Sequence, residues 1–319
     1  MSGRQPGHAR RFRSSPAAAL AAGTAAACLA RAAYAALSRR PPGGGKLWTR
    51  TNHRGEPVTL VEGPALTVAS VAVSAIGPGL APRVRGALAV AGAGSAAFGG
   101  YDDLAGSGSR RGFRGHLGAL AQGEITTGAV KLGGIGATGV VSAMLLGGGP
   151  TDVAVNAGLV AGSANLLNLF DLRPERALKV ALASGTLLVG GARGGPSPAA
   201  ALPAVAAPLA AAAALLPEDL GERAMLGDAG ANALGALLGV AAAASLPRPA
   251  RLALLAAITG LTAASEVVSF TAVIERTPAL RWLDMLGRRP VPAAPVPGRD
   301  DPPPADSQEA GASAAATSP

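Results

Sequence analysis

The chain has 319 residues, 49% of them hydrophobic and only 15% charged, against roughly 25% charged residues in an ordinary soluble domain, which excludes a soluble globular protein and predicts a membrane protein. Aromatics are only 3% and the apolar content is mostly Ala, Gly, Val and Leu, so the helices are thin, pack closely and disfavour a wide pore. The net charge of +9 lies in loops between apolar runs rather than on one soluble face, which argues against nucleic acid and for a positive-inside bias.

The chain opens with Arg4, Arg10, Arg11 and Arg13 ahead of the apolar run Pro16 to Ala30. That order resembles a signal peptide with Ala33-Tyr34-Ala35 as a cleavage site, but a first helix reaching about Leu37 is the preferred reading. Cys28, the only cysteine, falls in this run and excludes an intrachain disulfide or a thiolate metal cluster. The segment 38–63 is a polar interfacial loop broken by Pro41 and Pro42 and holding Lys46, Trp48, Asn52, His53, Arg54 and Gly55.

Apolar helices are predicted at about 64–80, 86–100, 127–146, 152–170, 176–190, 197–216, 230–246 and 251–270. With the first they make an all-α polytopic bundle of about nine transmembrane helices, spanning 16–270 after a basic segment 1–15. If they alternate, the loops on one side, with the end from 271, hold 16 Lys and Arg and those on the other hold 5, so the first side is cytoplasmic and the protein is a multi-pass protein of the cell membrane. Nine helices with a cytoplasmic C-terminus leave the N-terminal arginines outside, so either the first segment is not a normal span or the number is off by one. Beyond Phe270, Leu280, Leu283 and Leu286 with flanking arginines predict an interfacial helix within 271–288, and the Pro- and Ala-rich stretch 289–319 reads as disordered. A homodimer is allowed by such small-residue helices.

Asp102 and Asp103 follow Tyr101, end an apolar run and open a basic, glycine-rich loop with Arg110, Arg111 and Arg114. Adjacent acids disfavour each other's ionisation unless cations balance them. Asn165, Asn168 and Asp171 recur every three residues and so cover only about 120° of a helix, a polar row that is costly in a membrane unless it meets partners. Gly227-Asp228-Ala229-Gly230 precedes an apolar helix; Asp228 could cap it, or hold a magnesium ion and phosphate oxygens at its N-terminus. Lys131, near the start of its helix, either snorkels to the interface or pairs with an anion. On one cytoplasmic face these groups suit a polyanion bridged by a divalent metal.

The same residues resemble the polyprenyl-phosphate N-acetylhexosamine-1-phosphate transferases, from about Lys46 to Phe270. Tyr101-Asp102-Asp103 is similar to the family's aspartate pair, and Arg114-Gly115-His116 through Lys131 to the loop and helix after it. Asn165-Leu-Leu-Asn168-Leu-Phe-Asp171 matches an Asn-x-x-Asn-x-x-Asp row, Gly227-Asp228-Ala229-Gly230 a Gly-Asp-x-Gly motif, and Asn52-His53-Arg54-Gly55 the first cytoplasmic loop.

The resemblance implies a magnesium-dependent transfer of a sugar phosphate from a UDP-sugar to polyprenyl phosphate, with release of UMP, in cell-envelope glycan synthesis. It implies that Asp102 or Asp103 handles the lipid phosphate, that Asp228 and Asp171 ligate Mg2+, and that Asp171 also shares in the chemistry. Asn165, Asn168, Lys131, His116, Arg114 and Asn52 would bind substrate. The sequence departs from the family in lacking its histidine-rich motif: the only histidines are His8, His53 and His116, and Val273-Ile274-Glu275-Arg276 stands where histidines would be expected. A non-catalytic homologue that binds nucleotide or lipid phosphate is therefore the alternative expectation. A transporter ranks below both, because its polar groups would lie at mid-membrane.

Overall fold

The computed structural model describes residues 16–106, 118–119, 122–192 and 198–289. The N-terminal arginines, Arg114, His116 and the tail beyond Arg289 lie outside these residues. The chain divides into a unit reaching to Arg288 and a second unit from Arg289 onward.

Among the described residues the first unit is helical except for one small hairpin and connecting turns. In order it holds α1 (Pro16–Arg39), the single turn α2 (Gly45–Trp48), β1 (Thr49–Thr51), β2 (Pro57–Thr59), α3 (Glu62–Ile76), α4 (Pro82–Ala105), α5 (Thr127–Leu146), α6 (Pro150–Phe170), α7 (Arg176–Gly191), α8 (Pro198–Leu220), α9 (Gly227–Ser245), α10 (Arg248–Ser265), α11 (Phe270–Arg276) and α12 (Pro278–Met285). Prolines open α4, α6, α10 and α12, where a missing N–H leaves no bond unmade. Thr126 caps α5 by accepting from the Ala129 N–H at 3.1 Å.

This is a helical membrane protein. Four helices, α1, α5, α6 and α8, are long and apolar enough to cross a bilayer, and α10 with α11 supplies a fifth if that pair, bent by 94°, is one span. Among the described residues all nine expected long helices form, but nine spans do not follow. At 15 and 16 residues, α3 and α7 fall short of the roughly 20 that a perpendicular crossing needs. Helix α4 carries Arg83 and Arg85 at one end and Asp102 and Asp103 at the other.

Three boundaries differ instructively from the sequence pattern. Helix α4 continues to Ala105, so Asp102 and Asp103 sit in its last turn instead of opening a loop. Helix α8 runs through Pro203, Pro208 and Pro217 to Leu220, as membrane helices tolerate when neighbours pack around the lost bonds. The expected interfacial helix is two short ones, because Pro278 restricts Thr277 to extended backbone (ψ 109).

Helix α9 is the centre. It packs on α3, α4, α5, α6, α7 and α8, and nearly all its residues are buried. Gly239 lies against Leu159 and Val160 of α6, and Gly235 against Ser163 and Ala164. This antiparallel register in steps of four brings the first turn of α9 level with Asp171. On its other side α4 runs antiparallel, with Gly92 against Leu237 and Gly99 against Asp228. A β-carbon at Gly99 would fall on the Asp228 carbonyl oxygen, and backbone cannot swing aside as a side chain can. Gly99→Ala is therefore expected to destabilise the fold by about 2 kcal/mol. Thermal unfolding in detergent beside Gly133→Ala, which meets nothing within 4 Å, checks this.

Candidate functional site

The last turn of α4, the first turn of α5 and the first turn of α9 meet at one end of the bundle. Asp103 spans two of them: its Oδ1 accepts from the Asp228 N–H at 3.0 Å and its Oδ2 from the Ala229 N–H at 2.9 Å. Asp103 thus caps α9 from another helix, taking up two of the N–H groups that every helix start leaves open and placing a negative charge at its positive end. Gly227 makes this approach feasible, with φ 62 and an open side toward the Asp103 carboxylate. Arg50, from β1, donates to the Asp103 backbone carbonyl.

Asp102, one residue earlier, points elsewhere. Its Oδ2 lies 2.8 Å from the Lys131 ammonium, which also reaches Asp228 Oδ2 at 2.5 Å. Lys131 therefore pairs with anions instead of snorkelling. The three side chains are 15–25% exposed, so the bridge faces an opening at the membrane end rather than a sealed core. Asn232, one turn along α9, donates to the Asp228 carbonyl at 2.7 Å.

Asp171 ends α6 behind this bridge, buried, with Oδ1 lacking a hydrogen-bond partner. Burial, and the negative charges of Asp219, Asp228 and Asp103 facing it, push its carboxyl well above the usual carboxylate range. Glu62 and Asp219, which sequence reasoning passed over, are fully buried nearby with carboxylate oxygens that also lack partners. Their signal was present: each is an acid in a terminal turn of an apolar helix, where a charge needs a reason.

Among the described residues no three His, Cys, Asp or Glu side chains converge to hold a metal by themselves. Asp171 and Asp228 nonetheless suit Mg2+, which commonly takes one or two carboxylates and completes its shell with phosphate oxygens and water. The orphaned Asp171 oxygen and the surplus of carboxylates over Lys131 both call for added positive charge.

The other predicted positions divide. Asn165 and Asn168 are half-buried on the side of α6 that faces α5, because Ala157 and Ala161 of that side pack on Gly139 and 3.6 residues per turn return it at 165 and 168. Asn52 is spent on its own hairpin. Its Oδ1 accepts from the Arg54 and Glu56 N–H groups at 2.8 and 2.9 Å, and Nδ2 reaches Glu222 at 3.5 Å, which gives it structural work in the turn.

A second polar network lies on the elements that follow. Arg288 meets Glu175 at 3.2 Å, Glu222 at 3.5 Å, Asp284 at 3.4 Å and His53 Nε2 at 2.8 Å; Arg176 grips both oxygens of Asp284. It pins α12 with its polar residue inward and Trp282, Leu283 and Leu286 outward, as an interfacial helix requires. Burial pushes the Glu175 carboxyl up to about 7; Arg288 and Lys179 oppose the shift and Asp284 and Glu222 add to it. Because the folded chain holds this proton more tightly than the unfolded chain, the stability that the group contributes is full at acid pH and lost as pH rises through about 7. Glu175→Gln is therefore expected to melt above wild type at pH 8, by about 2 °C, with the gap closing towards pH 5 in thermal unfolding scans.

An apolar cavity of about 380 Å³ runs between α6, α7, α9 and α10, from Phe170, next to Asp171, past Leu187, Leu238 and Ile258 to Leu246.

No protein-family model matches this chain, and no curated protein matches it.

Proposed function

We propose that this protein transfers an N-acetylhexosamine-1-phosphate unit from a UDP-sugar to a polyprenyl phosphate, releasing UMP, in cell-envelope glycan synthesis. The observation that carries the reading is the Asp102–Lys131–Asp228 bridge at a membrane end, backed by the unpaired Oδ1 of Asp171. In this reading all nine long helices cross the cell membrane and the acidic end is cytoplasmic, as the Lys and Arg bias suggests.

The chemistry is a phosphoryl transfer. An oxygen of the lipid phosphate attacks the sugar-bearing phosphorus, the bond from that phosphorus to the bridging oxygen breaks, and UMP carries the electron pair away. Two polyanions must approach in line, so positioning and charge neutralisation carry most of the catalysis. Lys131 supplies a fixed cation between the reactants, and Asp102 orients it. Asp228 and Asp171 would hold Mg2+, whose contribution when bound is to neutralise phosphate charge. Asn165 and Asn168 line the approach on α6. Asp103 holds the N-terminus of α9, and with it Asp228, in place. The apolar lining of the cavity beside Phe170 suits an isoprenoid chain.

The test is UMP release by the purified full chain in detergent with Mg2+, polyprenyl phosphate and a panel of UDP-N-acetylhexosamines, beside Asp102→Asn and Asp228→Asn. Metal-dependent release lost in both variants is expected. Folded protein that releases no UMP from any donor would overturn the reading in favour of a non-catalytic homologue, the alternative that the missing histidine motif favours. With only two carboxylates available, calorimetry should show Mg2+ binding weakly alone and at least tenfold more tightly with the UDP-sugar present.

A further inference from the structure

Helix α4 has 24 residues and so is about 36 Å long, and its start lies at the opposite end of the bundle from Asp102. There a cavity of about 350 Å³ opens among the N-terminal turns of α4, α6 and α10. Its wall is mixed where the groove beside Phe170 is almost wholly apolar: Val84, Leu146 and Ala243 line it together with Arg83, Asp152, Asn156 and Arg251.

Arg251 is oriented from below. One guanidinium nitrogen donates to Asn156 Oδ1 at 2.8 Å and another to Asp152 Oδ1 at 3.2 Å, while Nε is buried and has no hydrogen-bond partner. Asn156 is itself only 3% exposed and the Arg251 side chain 12%, so the pair is largely shielded from water. Arg83 stands exposed at the rim, and among the described residues no carboxylate pairs with it. Two arginines against the single acid Asp152 leave surplus positive charge, to which the positive ends of three helix dipoles add. A staple between α6 and α10 would need Arg251 and Asp152 alone. It accounts for neither Arg83, nor the unpaired Nε, nor the cavity that both arginines line.

We propose that this cavity binds a phosphate-type anion on the face opposite the Asp102–Lys131–Asp228 site. Guanidinium groups with free N–H donors match phosphate oxygens, and the apolar wall suits the first carbons of an attached chain, so the phosphate of an anionic membrane lipid fits it as does a free phosphate ion. The inference is independent of the proposed transferase activity.

The experiment is thermal unfolding of the full chain in neutral detergent, with added phosphatidylglycerol, phosphatidylcholine or inorganic phosphate, for wild type, Arg83→Gln, Arg251→Gln and Arg40→Gln. Arg40 is an exposed arginine at the far end of the bundle and controls for loss of charge. A saturable rise in Tm with phosphatidylglycerol but not phosphatidylcholine is expected, weakened about tenfold in apparent affinity by Arg83→Gln and unchanged by Arg40→Gln. Inorganic phosphate that reproduces the shift and competes with the lipid would identify a free-ion site. Phosphate without effect would assign the site to the lipid. Equal shifts with both lipids, or equal weakening by Arg40→Gln, would overturn the proposal. Because Arg251→Gln strands Asp152 and could fail to fold, the exposed Arg83→Gln decides alone: an unchanged response in that variant also overturns it.

Discussion

If the protein is the proposed transferase, Lys131→Met is expected to lower UMP release by about 10³-fold or more, and in any case to destabilise the protein by about 3 kcal/mol. The ammonium stands between Asp102 and Asp228, at 2.8 and 2.5 Å, and without it two carboxylates face each other in a half-buried site. The two losses have different causes and can be separated. Adding Asp228→Asn to Lys131→Met removes one of the stranded charges, so the double variant should regain most of the lost stability in unfolding scans. On the proposed transfer it should regain no UMP release, because the cation between the phosphates and one proposed metal ligand are then both missing. Recovery of release as well would overturn the roles proposed for both Lys131 and Asp228.

Asp103→Ala is expected to destabilise the protein as much as Lys131→Met, by about 3 kcal/mol, since it leaves two N–H groups of α9 unpaired in a part-buried position. Asp103→Asn keeps one carbonyl acceptor and should cost about 1 kcal/mol. The pair also sorts the roles of adjacent acids. If Asp103 acts through the cap, the Asn variant keeps a measurable share of turnover with unchanged KM, while Asp102→Asn, which touches Lys131, loses nearly all of it. A pH–rate profile that loses its acidic limb in Asp103→Asn would instead make Asp103 the base.

Much of the bundle was legible in sequence because hydrocarbon imposes a simple rule: apolar runs of membrane length must satisfy their own backbone as helices. The long helices from α1 to α10 follow from that rule, and so does the grouping of Asp102, Lys131, Asp171 and Asp228, since each ends or begins such a run. The spacing of Asn165, Asn168 and Asp171 likewise specified one helix face before any packing was known. Their exact boundaries were less legible. Nothing local stops α4 at Gly100, so its helix carries on through both aspartates.

What only the tertiary structure decided is what each of these charges meets. Asp102 and Asp103 are neighbours of the same chemistry, yet successive residues on a helix point about 100° apart, so one faces Lys131 and the other the start of α9. Asn52 and Lys131 were equal candidates for substrate contact, and packing gave the first to a hairpin turn and the second to two carboxylates. Glu62 and Asp219 look like ordinary helix-end acids until the bundle buries both, and the Glu62 carboxylate is left without a hydrogen-bond partner. The sequence by itself determined a helical membrane protein with acids gathered at one end, because solvation by lipid acts on each segment separately. The pairing of charges depends on contacts between residues far apart in the chain, such as Lys131 with Asp228, 97 positions on, and those exist only once α9 is enclosed by its neighbours.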